Sequence, residues 1–230
     1  MMEGTTPGGD AFQQELSRLG SRVGLQLSAA QIHALGIHAE LMLQWNLRTN
    51  LTRILEARDI VIHHVLDSLL PGRWLPPSGR ALDVGTGAGF PGVPLKIENP
   101  SLHMTLLESH RKKVSFLKVL CSRLALEGLS VAHSSWEEWA RKGRSEGLEF
   151  DLITMRAVKL EENHLARLAS PLLAPGGIFA WWAGPRSVLP ARDLAQSCPA
   201  EDLAFFKSFP YSLPDTPQER QVMTWIKKFP

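Results

Sequence analysis

Gly85-Thr86-Gly87-Ala88-Gly89 follows the apolar run Ala81-Leu82-Asp83-Val84 without a break and leads into a helix that starts near Pro91 or Gly92. Glycines let the chain turn sharply and let a ligand approach the backbone, while the helix start behind them aims its amides at an anionic group. About nineteen residues past Gly89 a second apolar run ends in Leu106-Leu107-Glu108, which sets a carboxylate where the ribose diol of a bound nucleoside would lie. Together the turn and the acid can hold a nucleoside-bearing cofactor. Asp83, at the end of the first run, has two readings: it bonds the turn's amides, or it contributes to the cofactor pocket. The same letters contain Gly87-x-Gly89-x-x-Gly92, a dinucleotide fingerprint. A dehydrogenase would need a further substrate domain, and the segment before residue 79 is too short and too helical to supply one.

His63, His64 and Asp67 invite a metal or base reading, because positions 63 and 67 share a helix face. The preferred reading is that His64 and Asp67 fix a helical cap against the catalytic sheet, with a cleft contact to cofactor or substrate as the alternative. No metal site is expected, since Cys121 and Cys198 lack ligand spacing and read as small core residues of a protein in the reducing cytoplasm.

The elements that must position these residues are legible from periodicity. Residues 1–10 read as a disordered tail and not as a signal peptide, and residues 11–78 as an N-terminal helical extension. In that extension Ser28 caps a helix with Ile32, Leu35, Ala39, Met42 and Trp45 on one face, and a second helix runs over about 57–70. Pro71-Gly72 and Pro76-Pro77-Ser78-Gly79 end the extension, and residues 79–230 form the catalytic domain. Short apolar runs at 81–84, 104–107, 129–132, 150–155 and 178–182 alternate with helical stretches, which predicts an α/β fold with a parallel, doubly wound sheet. Segments 203–211 and 221–228, separated only by a turn-rich stretch, predict an antiparallel hairpin at the sheet edge.

With 44% hydrophobic and 21% charged residues among 230, the composition is that of a globular protein, and no apolar run approaches the ~18 to 20 residues of a membrane span. A net charge of +2 does not by itself argue for nucleic acid. Local groups do leave room for it: Arg111, Lys112 and Lys113 open a helix beside the cofactor edge, and with Lys96, Arg141, Lys142, Arg144, Lys159, Arg186, Lys227 and Lys228 they could track an RNA backbone. A solvated helix face is the competing reading.

Taken in order, Trp45-Asn46, Asn50-Leu51-Thr52, His64-Val65-Leu66-Asp67-Ser68, the run from Asp83 through Gly89 to Phe90-Pro91-Gly92-Val93-Pro94-Leu95, Leu107-Glu108-Ser109, Lys112-Lys113, Trp136-Glu137-Glu138, Arg156-Ala157-Val158 and Glu219-Arg220-Gln221-Val222 resemble the bacterial RsmG (GidB) methyltransferases, which modify N7 of a guanine in 16S ribosomal RNA. The resemblance implies a class I methyltransferase fold, S-adenosylmethionine as cofactor, and 16S ribosomal RNA or the small ribosomal subunit as partner; the chain itself is expected to be a cytoplasmic monomer. It implies that Gly85 and Phe90 line the cofactor site, that Trp136 and Glu137 flank the adenine, and that Arg156 sits in the active cleft. For Arg156 a strand-end ion pair is the plainer role, and His64, Arg111, Lys112, Lys113 and Lys159 are candidate RNA contacts. Two departures stand out: Trp182-Ala183-Gly184 replaces the family's frequent Leu-Lys-Gly, and a basic loop over 141–147 lengthens the gap between Trp136 and Arg156. A methyltransferase for another acceptor and a non-catalytic ribosome-binding module remain the alternatives, told apart by whether the chain binds cofactor and which acceptor it methylates.

If the glycine turn is the cofactor site, Gly87→Val abolishes S-adenosylmethionine binding in calorimetry while the circular dichroism spectrum shows the fold largely intact. Normal affinity in that variant would place the site elsewhere.

Overall fold

The structure is a computed structural model that describes residues 7–156, 169–183 and 202–230. Helices α1 (Pro7–Arg22) and α2 (Ala29–Thr49) come first, so the last residues of the expected tail, from Pro7 on, are helical. Ser28 caps α2 through a capping box: its Oγ accepts from the Gln31 amide, and Gln31 Oε1 accepts from the Ser28 amide. The Gln31 side-chain amide also donates to the carbonyls of Ile97 and Glu98, which ties the start of α2 to the end of the helix that follows the glycine turn.

The second expected helix forms in three pieces: α3 (Ala57–Ile60), a π-helical stretch Val61–Leu66, and α4 (Asp67–Leu69). A π-helical turn is wider than an α-turn and interrupts the regular face spacing, and His63 and His64 lie within it. A short 3-10 turn, Pro71–Trp74, ends the extension.

Strands β1 (Gly79–Val84), β2 (Leu102–Glu108), β3 (Leu129–His133), β4 (Phe150–Arg156), β5 (Leu173–Ala183), β6 (Leu203–Ser212) and β7 (Glu219–Lys227) form one sheet in the order β3-β2-β1-β4-β5-β7-β6. The first five are parallel; β7 runs antiparallel between β5 and β6. The order reverses between β1 and β4, and the carboxyl ends on either side of that point form the crevice in which open α/β sheets bind ligands. Because β7 is antiparallel, its first residues return to the same edge, where Gln221 pairs with Ala183.

Successive side chains of a strand face opposite ways, and the core divides accordingly. Ala81, Met104, Leu106, Leu152, Trp182 and Val222 pack with the N-terminal helices, with α5 (Gly92–Glu98) and with α6 (Arg111–Leu124). Leu82, Val84, Leu107, Ile153, Met155 and Trp225 pack on the other face with α7 (Trp136–Glu146). The supposed basic loop over 141–147 is therefore the second half of α7, closed by Gly147 in the left-handed region. No described helix is long and apolar enough to cross a membrane.

One carboxylate clamps the helical extension onto the sheet edge. Asp67 Oδ2 accepts from Arg156 Nη1 at 3.0 Å, and Oδ1 accepts from the Tyr211 hydroxyl at 2.7 Å and from Arg220 Nη1 at 3.1 Å. The Asp67 carbonyl accepts from the Trp182 indole N–H at 2.7 Å. Its side chain is 5% exposed, so the two ion pairs are shielded from water. Removing one partner of a buried pair leaves the others uncompensated and typically costs about 3–5 kcal/mol. Asp67→Ala is expected to lose stability in that range by urea unfolding; a loss below about 1 kcal/mol would show that solvent already screens the network.

Candidate active site

At the carboxyl end of β1, the Asp83 side chain is completely buried. Its Oδ2 accepts from the Thr86 hydroxyl and from the Gly92 amide at 2.9 Å, and its Oδ1 accepts from the Thr154 hydroxyl at 2.8 Å. Burial raises its pKa to about 6, against the pull of these donors and of the Arg156 charge. Of its two readings from sequence, bracing the turn is the one these bonds describe. A Cβ on Gly92 would meet Leu106 Cδ2 at 2.6 Å and Asp83 Oδ2 at 2.7 Å, so only glycine lets α5 start this close to the carboxylate.

Gly85, Gly87 and Gly89 all have positive φ, at 66°, 61° and 89°. The amides of Gly85 and Thr86 donate to the Leu107 carbonyl, which seats the turn against β2. Glu108, only 4% exposed, reaches back into the turn: Oε2 accepts from the Gly87 amide at 3.1 Å and Oε1 from the His110 amide at 2.8 Å. The turn and its acid are thus in direct contact. Apart from its chain neighbours, the nearest heavy atom to a Cβ placed on Gly87 would be the Gly85 carbonyl oxygen, 3.9 Å away, so at Gly87 the backbone stands uncovered beside Glu108. That arrangement suits a cofactor with a ribose and an adjoining charged tail.

Phe90 closes the turn. It lies within an aromatic stack, its ring 4.4 Å from His38 at 17° and 4.7 Å from His64 at 19°, and the Arg156 guanidinium carbon is 5.4 Å from its centroid. Arg156 is held by Asp67 and by the His63 carbonyl, with Nη2 at 3.5 Å from His64 Nδ1. Because arginine only donates, His64 Nδ1 is the acceptor and its Nε2–H donates to Thr52 Oγ1 at 2.9 Å. Burial first, then the charge of Arg156, pushes the His64 pKa down to about 3. His38, which the sequence reading passed over, is held neutral by burial, its pKa lowered to about 4, while its Nε2 contacts the Ala88 carbonyl.

The remaining candidates divide. Trp136 is 6% exposed and belongs to the core beneath β1 and β2, while Glu137 is exposed on the first turn of α7. Arg111 and Lys112 are exposed and Lys113 is half-buried at the start of α6, directly after Glu108-Ser109-His110. Lys96 is turned inward and does not face solvent: its ammonium donates to the Pro100 and Leu102 carbonyls. Lys159 and Arg186 lie outside the described residues. Tyr211 and Arg220, neither singled out as a site residue from sequence, join the edge through Asp67.

A seven-stranded sheet of this order, with a glycine turn after β1 and an acid closing β2, defines a class I methyltransferase. Solved structures share the fold: a methyltransferase in complex with SAH is 11% identical with a TM-score of 0.55, covering 70% of this chain and 49% of that one. TrmN from Thermus thermophilus is 18% identical with a TM-score of 0.50, covering 80% and 51%. Residues 31–206 match the sequence profile of GidB, described as rRNA small subunit methyltransferase G. A ribosomal RNA small subunit methyltransferase G 1 of Syntrophobacter fumaroxidans is 50% identical over 205 residues, 88% of this chain and 90% of that protein. A ribosomal RNA small subunit methyltransferase G of Lachnoclostridium phytofermentans is 35% identical, over 90% and 85%. The chain belongs to the RsmG (GidB) family, and its cofactor is S-adenosylmethionine.

The buried ionisable groups give the fold a definite pH dependence. His38 and His64 have folded pKa values of about 4 and about 3, below the ordinary 6.5, so beneath that value the unfolded chain holds two protons that the folded chain lacks. Asp83, raised from 3.8 to about 6, opposes them by one proton below pH 6. The balance is proton uptake on unfolding, so stability falls as pH falls, by about 2 kcal/mol between pH 7 and pH 5. Urea unfolding at the two pH values measures this. The double variant His38→Gln/His64→Gln should reverse or flatten the slope, and an unchanged slope would assign it to other groups.

Proposed function

We propose that this chain transfers the methyl group of S-adenosylmethionine to N7 of a guanine in 16S ribosomal RNA, acting in the cytoplasm as a monomer on the RNA or the small subunit. The observation that carries the reading is membership of the RsmG family along most of the chain, with a relative named for ribosomal RNA methylation at 50% identity. The cleft is compatible with it. Bound at the turn, the cofactor supplies a methyl group on a sulfonium, an electrophile that needs no activation. Guanine N7 offers an in-plane lone pair and no proton to remove, so no general base is required; positioning is what the protein must provide.

In this reading Glu108 holds the ribose diol, Gly85 and Gly87 leave the turn's backbone open to the cofactor, Gly89 lets the turn pack against Val93 and His38, and Asp83 keeps the turn in shape. Phe90 forms the floor of the cleft. Glu137 lies toward the adenine, with Trp136 supporting it from the core. Neutral His64 cannot serve as an acid at physiological pH, and methylation leaves the guanine ring cationic, so a bare positive charge against it would oppose the reaction. Asp67, 3.0 Å from Arg156, offsets part of that arginine's charge, its one negative charge being shared with Arg220. Arg111, Lys112, Lys113 and Lys159 receive the RNA backbone.

Labelled S-adenosylmethionine with naked 16S ribosomal RNA and with small subunits, followed by strand cleavage at modified N7 positions, tests the proposal. One modified guanine per RNA is expected. Turnover on another acceptor with 16S ribosomal RNA untouched would overturn the assignment.

A further inference from the structure

The contact between His38 and the glycine turn joins two parts of the chain that have no sequence-local reason to meet. His38 lies on α2 in the helical extension and is 1% exposed. A carbonyl oxygen only accepts, so the imidazole carries its proton on Nε2 and donates it to the Ala88 carbonyl at 2.6 Å. Nδ1 is buried without a hydrogen-bond partner among the described residues. An apolar ring of similar size would fill the same space and stack on Phe90 without burying that unpaired nitrogen. What the histidine adds over such a ring is the single donation to Ala88.

Ala88 stands between Gly87 and Gly89, both at positive φ, in a segment whose glycines allow several backbone conformations at little steric cost. We propose that His38 is a positioning residue for cofactor binding: by holding the Ala88 carbonyl it selects the one conformation of the turn that presents its backbone to S-adenosylmethionine. This rests on the reading of the turn as the cofactor site. The groups around the ring keep it neutral and in place: Phe90 stacks at 4.4 Å, Phe116 lies 6.4 Å away, and burial depresses the imidazole's pKa to about 4, so the donation persists at neutral pH. The helical extension therefore contributes to cofactor affinity through one hydrogen bond, although none of its residues needs to touch the cofactor. A turn freed from this bond samples other conformations and binds more weakly, while the chemistry of a bound cofactor is unaltered.

Two variants separate the donation from the packing. His38→Phe keeps an aromatic ring against Phe90 and removes the donor; His38→Gln removes the ring and keeps an amide N–H the same number of bonds from Cβ. Calorimetry with S-adenosylmethionine should show His38→Phe binding about five- to tenfold more weakly, with His38→Gln restoring affinity to within about twofold. At saturating cofactor, kcat on the RNA should stay within about twofold for both. Melting temperatures and binding stoichiometry report folding separately, so a merely structural role would lower stability in both variants without this split in affinity. Unaltered affinity in His38→Phe, or equal weakening in the two variants, would overturn the proposal. Absence of cofactor binding by the unaltered chain would overturn the reading of the turn itself.

Discussion

A carboxylate with no access to water has to find its hydrogen bonds inside the protein, and Asp83 is such a group at the one point where the sheet reverses its winding. Its three donors come from the turn that follows it, from the first residue of α5 and from β4. Satisfying them forces the backbone after β1 to fold back on itself and fixes the spacing between β1 and β4 at their carboxyl ends. Gly92 is required because the carboxylate occupies the place of its side chain. The site's uncovered turn is thus the by-product of burying a single acid correctly.

Asp67 repeats the device on a larger scale. It gathers Arg156 from β4, Tyr211 from β6 and Arg220 from β7 around one helix of the extension. Burial and the facing negative charge raise the Tyr211 hydroxyl's pKa well above its ordinary value, which keeps it a donor throughout the working range. The acids and histidines around this cleft are occupied in holding backbone and each other. That agrees with a methyl transfer in which geometry and the choice of acceptor nitrogen matter more than proton movement.

The strands were legible because parallel strands covered on both faces read as continuous apolar runs, and the turn because glycine spacing and the acid nineteen residues on mark the same edge. The hairpin was legible from two runs with one turn-rich break, although its second strand, not its first, lies against β5. Side-chain partners were harder. His38 carried a signal, since it lies three residues after Leu35 and four before Met42 on the inward face of α2, but nothing local announces its partner fifty residues away. Lys96 misled for a related reason: a lysine reads as surface, and here the carbonyls of Pro100 and Leu102 draw its ammonium inward. The π-helical stretch around His63 and His64 has no periodic signature in so short a segment.

The antiparallel return of β7 has a temporal side. Asp67 finds Tyr211 144 residues later and Arg220 153 residues later. A ribosome adding about 5–20 residues per second needs on the order of ten seconds to bridge that interval, during which the acid has been made but its last partners have not. The edge of the cleft consequently closes only after β6 and β7 have been made. Until then a growing chain can hold its glycine turn while lacking a finished cleft.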